Sequence, residues 1–169
     1  MFDLKWENKY GTAATSEQIE KLELLFDVKI PSTLKDLWCK ADYSFAPTRN
    51  GEPASIVVGT DPEKDEFVVS GYFSGVDQPT NEKLHPTVSH LNSLYKSKIG
   101  LVVPFAFGLD DNLFLNYKND STHTNPSIWN SYSEGDNFDE CWSIVAPDFD
   151  SLLENLKTDA EVRSMGILL

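Results

Sequence analysis

Residues 101–117 read LVVPFAFGLDDNLFLNY, and this stretch restricts the fold more than any other. A dense apolar run from Leu101 to Phe107 meets the polar cluster Gly108-Leu109-Asp110-Asp111-Asn112, and a second apolar run, Leu113 to Tyr117, follows. Two short apolar runs around a tight polar turn predict a β-hairpin. The first run is apolar on both of its alternating faces, so it predicts a strand buried on both sides. Pro104 has no amide hydrogen to give to a ladder, so a strand start or a bulge is expected there. This hairpin is expected to form the centre of a single sheet, with Phe105 and Leu115 almost completely buried.

The flanking segments carry local signals. Thr15-Ser16-Glu17-Gln18 is a capping box, in which the Thr hydroxyl and the Gln amide each satisfy the other's backbone N–H. Ile19, Leu22, Leu25 and Phe26 then form an apolar stripe, with Glu17, Glu20, Lys21 and Glu23 assigned to the wet face and the helix ending near Asp27. An Ile30-Pro31 corner leads to a second helix over 32–41 carrying Leu34, Leu37, Trp38 and Ala41, with Pro31 in its first turn. Asn50-Gly51 is a turn signal. Residues 55–59 and 67–73 predict an antiparallel pair of strands, and 78–97 an interrupted helix. The composition of 118–126 is that of an exposed loop. Residues 127–132 and 141–145 predict a second hairpin, and Asp148 or Asp150 caps a last helix with Phe149, Leu152, Leu153 and Leu156. Residues 1–14 read as an arm and 15–169 as a single domain, a length that can bury about 70% of its unfolded surface.

Charge excludes one class of partner. The chain has 14 Lys and Arg against 27 Asp and Glu, a formal net charge of −13, and nucleic-acid binding requires the opposite sign. The excess is concentrated. Between Phe105 and Asp150 stand Asp110, Asp111, Asp120, Glu134, Asp136, Asp139, Glu140, Asp148 and Asp150, with Lys118 as the single base. Such a face suits a basic protein partner through electrostatic steering. No apolar stretch reaches the roughly 20 residues that a membrane span needs, and the N-terminus has no signal-peptide h-region, so a cytoplasmic chain is expected.

Catalytic patterns were sought and none stands. Gly71-Tyr72-Phe73-Ser74-Gly75 has Tyr where G-x-S-x-G needs its first Gly. The run from Asp61 resembles a calcium loop, but Glu66 occupies the Gly position and Tyr72 the final Glu position. His85, His90 and His123 lack partners at metal-ligand spacing, and Cys39 and Cys141, both in apolar contexts, give neither a disulfide framework nor a zinc set. Paired carboxylates at the two hairpin tips would permit a hydrolase, but acids in turns more commonly bond their own backbone. The chain is therefore expected to be no enzyme and to need no cofactor or metal. The expected partner surface is the two tips, Asp110, Asp111, Glu134, Asp136, Asp139 and Glu140, with Trp129 and Tyr132 as aromatic anchors.

The order of parts resembles a known family. Thr15-x-Glu17-x-Ile19-x-x-Leu22-Glu23 precedes Val28-Lys29-Ile30-Pro31-Ser32-x-Leu34-x-x-Leu37-Trp38; Val102-Val103-Pro104-Phe105-Ala106 and Asn112-Leu113-Phe114-Leu115 come later, then Ile128-Trp129 and Phe149-Asp150-Ser151-Leu152-Leu153. This series is similar to the SUKH superfamily, which joins yeast cell-wall-assembly regulators to bacterial immunity proteins. The resemblance spans about Thr15 to Leu156. It implies an α+β domain, a mostly antiparallel sheet with helices packed on it, and binding in place of catalysis. It further implies neutralisation of a cognate toxin domain, often a nuclease. A regulatory scaffold of the cell-wall-assembly type is the other function it implies.

Overall fold

The computed structural model describes residues 4–5, 13–40, 48–49, 52–58, 67–69, 72–73, 101–107, 111–132 and 142–166. Thr15 opens the first helix as its sequence requires. Its Oγ1 accepts the Gln18 N–H at 3.2 Å, Gln18 Oε1 accepts the Thr15 N–H at 2.8 Å, and α1 runs over Ser16–Phe26. Asp27 closes it in the left-handed region at φ 53°, a conformation that Asp tolerates better than most residues. Ile19, Leu22 and Phe26 are buried, as the stripe predicts. Glu23 is not on the wet face: it is 5% exposed, while Leu24 is 83% exposed. The reason is geometric. Positions 19, 22, 23 and 26 fall at i, i+3, i+4 and i+7, so Glu23 occupies an inward site whatever its charge.

The second helix, α2, spans Ser32–Trp38 and stops three residues before the expected end. Pro31 is the cap residue with extended backbone, one position before the first helical residue, so its ring precedes the first turn. Leu34, Leu37 and Trp38 are buried. Cys39, expected among apolar neighbours, is exposed at the helix end.

The central hairpin forms as its apolar runs demand. Strands β6 (Val102–Phe107) and β7 (Asp111–Asn116) pair antiparallel, and the register shifts between Pro104 and Ala106. Phe105 is thus the extra residue of a bulge beside the proline, and both Phe105 and Leu115 are fully buried. β8 (Ser127–Tyr132) pairs with β7, and β9 (Trp142–Ala146) with β8. β5 (Tyr72–Phe73) adds to the other side of β6, giving the five-stranded order β5-β6-β7-β8-β9.

One face of this sheet carries the core. Val103, Phe105, Leu113, Leu115, Tyr117 and Ile128 join Ile19, Leu22, Phe26, Leu34 and Trp38 in one cluster. Helix α3 (Phe149–Glu154) closes it; Phe149 stands edge-on to Phe105 at 5.4 Å between ring centroids, an arrangement that aromatic quadrupoles favour. Asp148 caps α3, taking the Ser151 N–H at 2.7 Å. Val102 and Phe114, which alternate with this cluster, are fully buried as well.

Among the described residues the strands form two sheets and not the single one expected. β1 (Leu4–Lys5), β2 (Thr48–Arg49), β3 (Glu52–Val58) and β4 (Phe67–Val69) belong to a second antiparallel ladder, which β10 (Lys157–Thr158) completes. The single strand expected over 67–73 is two: β4 pairs with β3, and β5 with β6. Arg49 pairs with Glu52 on either side of Asn50-Gly51, as a hairpin turn there requires. The helix on Asp148 is also not the last. Thr158-Asp159-Ala160-Glu161 forms a further capping box that opens α4 (Asp159–Ser164). The predicted helix over 78–97 and the residues His85, His90 and Cys141 lie outside the described residues.

Candidate functional site

The expected partner surface begins at one end of the β5–β9 sheet. Asp111, the first residue of β7, is the ladder partner of Tyr132, the last of β8. The β6–β7 turn and the β8–β9 connection therefore leave the sheet at the same end. Those two segments carry Asp110 and Glu134, Asp136, Asp139 and Glu140, which lie outside the described residues. The pairing brings the two tips' strands together, as a shared acidic surface needs.

Trp129 lies further into the sheet. It is half-buried, and its indole N–H donates to Ser127 Oγ at 2.8 Å, while that hydroxyl donates to the Asn116 carbonyl at 3.4 Å. Its ladder partners are Phe114 on β7 and Ile144 on β9. Phe114 is fully buried, whereas Ile144 is 59% exposed. The register of β9 slips by one residue opposite Ile128 and Trp129, which inserts Val145 as a bulge. Val145 packs against the core cluster while Ile144 remains open to solvent. Ile144 is not among the expected site residues; its outward face follows from the Val145 bulge, which the local sequence pattern does not show.

Several acids elsewhere in the acidic stretch bind their own chain. Asp120 collects the backbone N–H groups of Thr122, Thr124 and Asn125 together with the Thr122 hydroxyl. The Thr122 hydroxyl bond first, and then the backbone donors, hold its carboxyl well below the usual carboxylate range. Asp148 caps α3, and Asp150 Oδ1 accepts the Thr33 hydroxyl at 2.6 Å, joining α3 to α2. These three acids, none of them among the expected site residues, serve the fold.

A second polar cluster occupies the α1–α2 corner. Glu23 Oε1 pairs with Lys35 Nζ at 2.6 Å and accepts the Ile30 N–H at 2.8 Å, and Oε2 pairs with Lys29 Nζ at 3.1 Å. Burial raises the Glu23 pKa, but bonds from Lys35, the Ile30 backbone and Lys29 outweigh it, so the net shift is downward. The Tyr117 hydroxyl donates to the Lys29 carbonyl at 2.8 Å, and burial pushes its own pKa far up. His123, at φ 54°, completes the corner: its carbonyl accepts the Lys29 N–H at 2.7 Å, and Nδ1 lies 2.8 Å from the Asp27 carbonyl and so carries the proton. The bonds from Tyr117 and His123 to the α1–α2 connection make the corner a clip between the helix pair and the segment that follows β7. Among the described residues no group of three or more His, Cys, Asp or Glu is gathered as metal ligands, and no helix is long and apolar enough to cross a membrane.

A comparison with family models matches residues 13–155 to the SMI1 / KNR4 family (SUKH-1). Comparisons with curated proteins and with solved structures returned no match.

Proposed function

The chain belongs to the SMI1 / KNR4 family (SUKH-1), and from that premise we propose that it is an immunity protein. On this reading it is not an enzyme; it acts in the cytoplasm by binding a cognate toxin domain, a nuclease with a basic surface, and blocking it. The family match over 13–155 carries the reading. The net charge of −13 supports it, because a nuclease must attract phosphate and an acidic inhibitor competes for the same basic groove. The common departure point of the two acidic segments at Asp111 and Tyr132 supports it further.

The test is to read the genes beside this one in its native host and to co-express the chain with any toxin domain encoded there. The expected outcome is rescue of growth and a stoichiometric complex on size exclusion. Reversing Asp110, Asp111, Asp136 and Asp139 to Lys should leave circular dichroism unchanged and weaken binding by two or more orders of magnitude, most strongly at low salt. Recovery of cell-wall or signalling proteins alone, with no toxin bound, would replace this reading with that of a regulatory scaffold.

A further inference from the structure

Trp129 and Ile144 form an outward apolar shelf whose position suits it to the centre of an interface. They are direct ladder partners on β8 and β9, and Phe114 is the next residue across from Trp129 on β7. Isolated exposed apolar side chains are ordinary on a protein surface. Here an isoleucine 59% exposed stands directly opposite a half-buried tryptophan. The indole is held in place by its bond to Ser127 Oγ at 2.8 Å, so a partner that docks on it loses little side-chain freedom. The bulge at Val145 re-aims this edge strand and discourages pairing along its backbone, leaving side-chain docking on the face.

Charge complementarity decides the occupant. Trp129 is three residues from the end of β8 and Ile144 two from the start of β9. At about 3.3 Å per residue both stand within about 10 Å of the end of β8 or the start of β9. The β8–β9 connection contains Glu134, Asp136, Asp139 and Glu140 and no Lys or Arg. The net charge of −13 draws a basic ligand toward such a surface. A second copy of the chain would bring −13 against −13 and is disfavoured. We infer that the Trp129–Ile144 shelf is the apolar anchor of the partner interface, and that it receives an apolar protrusion rimmed by Lys and Arg on a basic protein. This rests on the immunity reading and assigns the surface through which that activity works. Apolar anchors of this kind govern dissociation, whereas rim acids govern association and salt dependence.

The probe is a catalytically inactive form of whichever toxin domain the co-expression test recovers, titrated by calorimetry and surface plasmon resonance. Ile144→Arg is expected to weaken binding 100-fold or more, chiefly through faster dissociation. Leu24→Arg, at an exposed leucine on α1, should bind like the parent. Trp129→Phe, which keeps an aromatic ring, should weaken binding about 10-fold without unfolding the chain. If Ile144→Arg folds and binds as tightly as the parent, the shelf is overturned while the immunity reading stands. If the parent itself fails to bind, that reading falls and the shelf assignment with it. If Ile144→Arg instead turns a dimer into a monomer in sedimentation, the occupant is a second copy and the basic partner is overturned.

Discussion

The α1–α2 corner and the Trp129–Ile144 shelf make opposite use of a residue out of its usual place. At the corner a carboxylate is buried, and three donors, from Lys35, Lys29 and the Ile30 backbone, converge on it. At the shelf an aliphatic side chain is exposed and no described residue covers it. A buried charge with all its partners stabilises a shape, because removing any partner leaves an orphan. An exposed apolar side chain gives the fold almost nothing, and its effect waits for a second surface. Misplaced polarity inside the molecule therefore reports on structure, whereas an exposed apolar side chain points to binding only where an apolar neighbour joins it, as Trp129 joins Ile144.

Substitutions can break this contrast, and the largest effect belongs to the core between the two regions. Phe105→Ala should cost about 3–5 kcal/mol, a large part of the roughly 5–15 kcal/mol that holds a domain together. Urea denaturation reads it directly; a midpoint equal to the parent's would remove β6 from the centre of the core.

Next comes the corner. Glu23→Ala should cost about 2–3 kcal/mol, typical of charge-assisted hydrogen bonds; the full cost of a broken buried pair is not expected, because Lys29 is largely exposed and rehydrates. The pH dependence has a definite sign. The folded-state pKa of Glu23 lies below its unfolded value, so its contribution is present above the ordinary glutamate range. It fades as pH falls through that range toward the lowered value. Denaturation of parent and Glu23→Gln from neutral to acid pH should show their stabilities converging. A gap that stays constant would mean that the carboxylate charge plays no part.

The smallest effect sharpens the contrast most. Ile144→Arg should change stability by no more than about 0.5 kcal/mol, since the side chain is already in water. A larger loss in the same denaturation assay would make Ile144 a packing residue and return the shelf to the fold.

The sequence was most readable where the cause is local. The capping box at Thr15, the cap at Asp148 and the two hairpins depend on neighbours within a few positions, and all of them form. The box at Thr158 is equally local, but the expected last helix ends with Leu156, two residues before it. Glu23 was misassigned by weighing its charge above its helical position. The division of 67–73 between two ladders depends on partners far along the chain, β3 and β6, and no local pattern encodes that choice. At the candidate site the pairing of Asp111 with Tyr132 follows from the hairpin order. The exposure of Ile144 depends on one inserted residue in β9, which periodicity does not show.

The two ladders also differ in how far the chain must travel to build them. β6, β7, β8 and β9 follow one another in sequence, so each pairing closes a short loop. β10 instead brings Lys157 and Thr158 onto Ser55 and Ala54, about a hundred residues earlier. Closing a longer loop costs more chain entropy, and distant contacts form late. During synthesis the β6–β9 meander can assemble once residue 146 has left the ribosome. In the β3 ladder, β2, β3 and β4 are likewise near neighbours in sequence, and it is β10 that waits for residue 158, beside which Arg49 bonds the Leu156 carbonyl at 3.1 Å and faces Glu161 at 3.6 Å. Residues 156–161 are thus a late strap: the surface that would meet a partner precedes it in the order of synthesis.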